Sequence, residues 1–144
     1  MIFQPNWFRE NFAFPHAVAG VGAYALAIMI ANLDKSIQEI LILVARQAVT
    51  TFLFTGFLVP HVQRQAIGSN RLAVMFYGVL VPALIVASAS VTAHLYWTNE
   101  ARNIFVPFFV SVALNSFLVS ARRAGHETFL AQLKWFVKIV GFTR

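Results

Sequence analysis

The sequence predicts an all-α integral membrane protein with four transmembrane helices in two hairpins, followed by a C-terminal amphipathic interfacial helix. Three observations predict this class. Hydrophobic residues make up 59% of the 144 residues and charged residues only 11%, whereas a soluble domain carries about 25% charged residues. The mean hydropathy is +0.71. Four apolar runs of membrane-spanning length are separated by short polar links, so we expect residues 1–144 to form a single membrane domain.

The first predicted span covers residues 15–33 and contains an alanine at every fourth position. Pro15 stands where a helix can begin, and the run that follows carries no charge. Lipid gives little hydrophobic drive for helix pairing, so small residues that permit close approach are expected at helix interfaces. The alternative is that alanine is simply common in membrane helices. The predicted packing face consists of Ala19, Ala23, Ala27 and Ala31.

The second predicted span, residues 37–62, contains a charge well inside an apolar run. A helix that begins near Ser36 places Arg46 about 15 Å along its axis, roughly half of a hydrocarbon core. Together with Gln47, this guanidinium is suited to bind an anionic headgroup or a partner's carboxylate in a crevice. The alternative is an overlong helix from which Arg46 snorkels to the bilayer boundary, because the distance to Arg64 is about 27 Å, nearly a full span.

The third and fourth predicted spans, residues 72–97 and 103–121, add prolines and polar side chains. Pro82 is expected to kink the third span, in which Ala83 and Ala87 belong to a seam of small residues that favours helix packing. The crevice predicted around Arg46 includes polar residues from all four predicted spans. These are Gln47, Tyr24, Ser88, Ser90 and Asn115.

The C-terminal segment, residues 127–141, has the pattern of an amphipathic helix. Its lysines, Lys134 and Lys138, fall opposite an apolar face, and Trp135 is expected beside them at the membrane surface. A basic helix of this kind is typical of the headgroup layer. Docking against a partner protein is the alternative. The apolar face consists of Phe129, Leu130, Leu133, Phe136, Val137 and Val140.

The charge distribution predicts the orientation. Lysine and arginine concentrate at one set of helix ends, whereas the other set holds only Lys35 and Arg102, each close to an acid. The positive-inside rule then places both termini in the cytoplasm, in a bacterial inner (plasma) membrane. The formal net charge of +6 is scattered between apolar runs, so we expect membrane lipids with anionic headgroups as partners and no nucleic acid.

Few residues carry recognisable catalytic or metal-binding chemistry. The chain has no cysteine, and its four histidines lack ligand spacing, so we expect no metal and no cofactor. An outer-face polar cluster of Glu39, His94 and Glu100 is suited to acid-base work on a lipid headgroup. Ordinary solvated loops explain the same residues.

Three functions are compatible with these patterns. The first is a lipid- or solute-handling transport component, acting within a homo-oligomer or a complex with other membrane subunits. The second is a non-catalytic scaffold subunit that docks other membrane proteins through its small-residue faces. The third is a small lipid-modifying enzyme that uses the outer-face cluster. The sequence favours the first and predicts no catalytic residue.

Overall fold

The computed structural model describes residues 8, 10–94 and 102–141, and these residues form helices joined by short links, with no strand among them. The all-α class is therefore confirmed. A π-helix, Phe76–Leu80, interrupts the third apolar run. In chain order the α-helices are α1 (Phe14–Ala31), α2 (Ile37–Gln65), α3 (Arg71–Met75), α4 (Val81–His94), α5 (Arg102–Arg123) and α6 (Phe129–Val140).

Four helical stretches among the described residues are long and apolar enough to cross a membrane. They are Phe14–Ala31, Ile37–Gln65, Arg71–Thr92 and Phe105–Arg123. Large apolar side chains such as Leu26, Val49 and Phe109 are exposed on their outer surfaces. Because lipid replaces water around a spanning helix, such exposure carries no hydrophobic penalty there. The third predicted span ends at residue 97, which lies outside the described residues.

Helix α2 begins at a capping box. The Ser36 hydroxyl accepts from the backbone N–H of Glu39 at 3.4 Å, and the Glu39 carboxylate accepts from the backbone N–H of Ser36 at 3.0 Å. This reciprocal bonding satisfies backbone donors that a helix start leaves without intrahelical partners. The serine after the polar link therefore explains where the longest helix begins.

Pro60 lies inside α2 without ending it. A proline has no N–H, so the carbonyl of the residue four positions earlier, Gly56, loses its usual helical donor. The backbone N–H of Ala13 donates to that carbonyl at 2.8 Å. Phe12 packs over Gly56 so closely that a Cβ there would overlap its ring. The proline and the glycine together allow the segment before α1 to dock on α2.

The third span changes its hydrogen-bonding period before Pro82. The ring of a proline clashes with the carbonyl four residues earlier, here that of Gly78. A π-helix precedes it, in which the N–H of Val81 bonds to the carbonyl of Phe76. Gly78 is buried, and a Cβ there would lie 3.3 Å from Val119. The bend predicted at Pro82 is thus a π-turn that brings the third span close to α5.

The helices pack as a bundle in which α1 contacts α2 and α5, and α4 contacts α5 and α2. An apolar core lies towards the arginine-rich ends of these helices, and Val62 at its centre is fully buried. Helix α6 contacts α5 and lies across this same end. The other members of this core are Val59, Ala66, Val74, Val79, Leu118 and Val119.

Candidate functional site

A cavity of about 400 Å³ lies between α1, α2, α5 and α6. Its wall is predominantly apolar, and α6 contributes Phe129, Leu133 and Phe136 to it. Helical packing leaves this space because small residues of α1, Ala19 and Ala23, face long side chains across it. A concave, mostly apolar space with a few polar groups is the usual form of a small-molecule site.

A first polar group in the cavity wall lies midway along α1 and α5. Asn115 and Ser111 are one turn apart on α5, and the amide of Asn115 donates to the Ser111 hydroxyl at 3.1 Å. The side chain of Tyr24 on α1 lies next to the same serine. All three residues are buried and all three line the cavity. They form a connected set of neutral donors and acceptors deep between two helices.

A second polar group joins α6 to the start of α1. The Gln132 amide nitrogen donates to the carbonyl of His126 at 2.9 Å, which turns its amide oxygen towards His16. His16 Nε2 lies 2.9 Å from that oxygen, within hydrogen-bonding distance. Gln63 Nε2 lies 3.4 Å from the same imidazole nitrogen. Gln132 is only 1% exposed, so this bond is a sequestered contact between α6 and the bundle.

The charge of the cavity is as informative as its shape. Among the described residues that line it, none is an aspartate, glutamate, lysine or arginine. Within the described part of the chain, no group of three or more histidine, aspartate or glutamate side chains is placed to hold a metal ion. The arrangement can hold a mostly apolar molecule and hydrogen-bond a neutral polar group on it.

The residues predicted to form one crevice with Arg46 occupy three separate places. Arg46 is half-buried and does not line the cavity. Gln47 is fully buried between α2 and α4, where its amide nitrogen donates to Thr51 at 3.1 Å and lies 3.4 Å from the Ser90 hydroxyl. This neutral cluster joins two helices and is not part of the cavity wall.

The other members of the predicted crevice lie at two further sites. Tyr24 and Asn115 line the cavity. Ser88 is exposed and donates to the carbonyl of Leu84 on its own helix at 2.8 Å. It borders a different, shallow groove with Phe54. The structure thus brings Tyr24 and Asn115 together at the cavity, where Ser111 joins them, and places Gln47 beside Ser90 between α2 and α4.

The outer-face cluster is only partly within the described residues. Glu39 caps α2 as described above, whereas the side chain of His94 and all of Glu100 lie outside them. At the same end, Arg102 makes a two-pronged ion pair with Asp34, with N–O distances of 2.7 and 2.9 Å. Hydrogen bonding from Arg102 holds the pKa of the Asp34 carboxyl below its usual range.

A buried amide pair lies next to this ion pair. Asn32 donates to the Asn103 side-chain oxygen at 3.0 Å and to the carbonyl of Ile28 at 2.8 Å. Both asparagines are fully buried. Arg102 also donates to the carbonyl of Ala31 at 3.1 Å. The end of α1 is therefore bonded directly to the start of α5.

The predicted packing alanines differ in their exposure. Ala19 is exposed, and Ala23, Ala27 and Ala31 are half-buried. The buried positions of α1 form the neighbouring face. In the third span Ala83 is fully buried and Ala87 is half-buried. The buried residues of α1 are Ala17, Gly20, Tyr24 and Ile28.

The three residues predicted at the membrane surface differ in their exposure. Lys134 and Lys138 are exposed. Trp135 is half-buried, with its ring centroid 5.5 Å from that of Phe117 and 5.6 Å from that of His126. Tryptophan rings pack well against such neighbours, so Trp135 joins α6 to the end of α5.

Sequence reasoning missed His16, Ser111 and Gln132 as cavity residues. A signal for two of them was present in the sequence. Gln132 interrupts the apolar face of an amphipathic helix, where a polar side chain needs a buried partner. Ser111 precedes Asn115 by four residues, the spacing at which side chains meet on a helix. Nothing local pairs His16 with Gln132, because they are 116 positions apart.

Comparison with known proteins yields no assignment. No protein-family model, no curated protein and no solved structure matches this chain.

Proposed function

We propose that this protein is a small lipid-handling transport component that holds the apolar chain of a membrane molecule in the cavity between α1, α5 and α6. The observation that carries the proposal is the cavity itself, a space of about 400 Å³ with a mostly apolar wall. Ligand sites in proteins typically measure about 300–1,000 Å³. Apolar cavity walls can take up hydrocarbon, and a membrane supplies hydrocarbon chains at high concentration.

The position of α6 supports access from the membrane surface. Phe129, Leu133 and Phe136 face the cavity, while Leu130 and Ile139 are 66% and 60% exposed. A helix with apolar side chains exposed beyond its protein contacts is suited to the headgroup layer, with Lys134 and Lys138 directed to anionic headgroups. In this proposal α6 lies in the interface and covers the mouth of the cavity.

The orientation follows from the basic residues at the same end. Arg64 and Arg71 flank the link between the second and third spans, and Arg122 and Arg123 end α5. Under the positive-inside rule this end faces the cytoplasm, with both termini on that side of the plasma membrane. The cavity mouth then opens towards the cytoplasmic leaflet.

Photocrosslinking tests the cavity as a binding site. The full chain in lipid nanodiscs is exposed to a dodecyl chain that carries a diazirine, and the crosslinked residues are mapped by mass spectrometry. Ala23 lines the cavity, so Ala23→Phe is expected to fill it. Crosslinking within the cavity should fall by at least about tenfold, which is a loss of about 1.4 kcal/mol. Val18, 52% exposed on the same helix, gives the matched control Val18→Phe.

The pattern of crosslinking decides the proposal. Labels on Leu118, Phe117 or Phe136 that vanish in Ala23→Phe and persist in Val18→Phe support it. Labels confined to outward-facing residues such as Leu26 or Phe109, with no effect of Ala23→Phe, would show that the dodecyl probe surrounds the protein only as bulk lipid does. That result would contradict the proposal.

Cysteine labelling tests the orientation, because the chain contains no cysteine of its own. Leu33 lies in the link after α1 and Ser69 in the link after α2, and both are exposed. An impermeant thiol reagent added to intact cells is expected to label Leu33→Cys and not Ser69→Cys. The reverse pattern would place the cavity mouth on the opposite side.

A further inference from the structure

We infer that the cavity selects a neutral amphiphile with a single hydroxyl or carbonyl head, bound by Tyr24, Ser111 and Asn115. This inference rests on the proposed function and names the class of ligand for the same site. It excludes phospholipids and ionised fatty acids as occupants of the deep cavity. Three features of the wall support it: its lack of charge, the bonding capacity of Asn115 and the depth of the polar group.

The first feature is charge. The described residues of the cavity wall include no lysine or arginine to pair with a phosphate or carboxylate, and no acid to pair with an amine. An ion moved from water into such a space without a counter-ion loses far more solvation than a neutral head does. A neutral hydroxyl or carbonyl loses only a small solvation free energy, which one or two hydrogen bonds to the cavity wall offset.

The second feature is the remaining hydrogen-bonding capacity of Asn115. One of its two amide hydrogens bonds to Ser111. A primary amide has a second N–H and a carbonyl oxygen, and neither has a partner among the described residues. Because Asn115 lines the cavity, both groups can meet a ligand there. A hydroxyl head can accept a hydrogen bond from the second amide N–H of Asn115 and donate one to its amide oxygen. A carbonyl head can only accept from that N–H.

The third feature is depth. Tyr24 lies about 15 Å along α1 from its start at Phe14, which is near the middle of a bilayer. A head bound there points its chain back along the apolar wall towards Phe129 and Phe136. From Tyr24 to His16 the wall extends about 12 Å along the helix. The geometry therefore fits an inserted neutral head with a trailing chain, and a headgroup that must stay in the interface does not reach Tyr24.

Competition among three twelve-carbon molecules tests this selection. Dodecanol, dodecane and dodecanoate, the last at a pH where it is ionised, are each titrated against the diazirine probe on the full chain in nanodiscs. We expect dodecanol to compete best and dodecanoate worst. Ser111→Ala and Tyr24→Phe should each weaken competition by dodecanol roughly two- to tenfold, the effect of one lost hydrogen bond, and leave competition by dodecane unchanged.

Matched controls are available on the same chain. Ser88 is exposed and outside this cavity, and Tyr77 is exposed on the third span. Ser88→Ala and Tyr77→Phe should therefore leave all three competitors unchanged. These changes remove single hydroxyl groups, and dodecane competition in each variant reports whether the cavity itself is still formed.

The outcomes separate this inference from the proposed function. If dodecane and dodecanol compete equally and Ser111→Ala alters neither, the head is not recognised; the inference fails while the cavity remains a binding site. If dodecanoate competes better than dodecanol, the selection for a neutral head is wrong. If none of the three competes with cavity labelling, the proposed function fails as well.

Discussion

The two ends of the bundle join the first and last spanning helices in different ways. At one end Asn32 on α1 bonds to Asn103 on α5, and the adjacent loop is fixed by the Asp34 to Arg102 ion pair. At the other end α1 and α5 are separated by the cavity, and α6 connects them through the His16 to Gln132 bond. We refer to these as the closed end and the open end.

The difference lies in what connects the two helices at each end. At the closed end, a direct bond between two buried amides joins α1 to α5. At the open end the helices are held apart by a wall of side chains, and an added helix covers the space. Elements held by few buried contacts are those that open at low free-energy cost. In the proposed function, α6 is the element that opens, because among the described residues it contacts mainly the end of α5 and the cavity wall.

The largest loss of stability is expected when a side chain is added at the contact between Gly56 and Phe12, which docks the segment before α1 on α2. Gly56→Ala introduces a Cβ where the Phe12 ring lies, and Phe12 is itself packed against Phe52, with ring centroids 5.4 Å apart. Overpacking of this kind typically costs about 1–3 kcal/mol. Thermal unfolding in detergent should show a clear loss of stability. Gly22→Ala is the control, since a Cβ there meets nothing within 4 Å; equal losses in both variants would contradict this account.

A smaller loss is expected from breaking the amide pair at the closed end. Asn32→Leu removes the donor to Asn103, and about 1–2 kcal/mol should be lost because buried amide groups lose their partner. The loss is moderated because the Asn32 amide oxygen has no hydrogen-bond partner among the described residues, so its removal relieves an unsatisfied acceptor. The measurement is unfolding by denaturant in detergent.

A double-mutant cycle sharpens this result. If the two asparagines stabilise the closed end through each other, Asn32→Leu with Asn103→Leu costs less than the sum of the single changes. Crosslinking within the cavity should be unaffected in all three variants. Strict additivity would show that the two amides act independently.

The bond between α6 and the bundle should contribute about 1 kcal/mol. Gln132→Leu removes the acceptor from His16, so the undocked fraction of α6 should rise about fivefold. A cysteine at Ala131, a half-buried position on α6, reports this as faster reaction with a thiol reagent in the Gln132→Leu background. Gln38→Leu, at an exposed position in the first turn of α2, should leave the rate unchanged. An unchanged rate in Gln132→Leu would mean that apolar contacts alone hold α6.

The smallest effect is expected at the exposed ion pair. The pKa of Asp34 is lowered in the folded protein by hydrogen bonding from Arg102, so the ionised form stabilises the fold. This contribution is fully present above the ordinary carboxyl pKa and is lost as the pH falls through the lowered value. Asp34→Asn should be slightly less stable near neutral pH and should lack this acid-dependent loss. Melting temperatures across an acid titration give the comparison, and parallel curves would contradict it.

Particular residues show how far the sequence predicts this fold. The apolar runs predicted four membrane-length helices because hydrophobicity and length are local properties, and Ser36 with Glu39 marked the start of α2 through local capping chemistry. The π-helix before Pro82 was expected only as a kink. Whether a helix absorbs a proline by bending or by a π-turn depends on neighbours, here the close approach of Gly78 to Val119.

The candidate site shows where local patterns are insufficient. Tyr24 and Asn115 were predicted to share a crevice with Arg46, Gln47, Ser88 and Ser90. Depth along each helix was predictable from residue counts, but the rotation of each helix was not. A turn of one helix by about 100° per residue decides which side chains face a neighbour. Gln47 and Ser90 face each other on one side of α2, whereas Tyr24 and Asn115 face the cavity on another.

The amino-acid sequence by itself determined that this chain forms membrane-length helices, because hydrophobic composition, helix capping and proline placement act over a few neighbouring residues. Only the tertiary structure decided that one end is closed by Asn32 and Asn103 and that the other contains a cavity beneath α6. Those features arise from residues up to 116 positions apart. Their contacts depend on how four nearly uniform apolar surfaces pack, and hydrophobicity does not encode that choice when the surroundings are lipid.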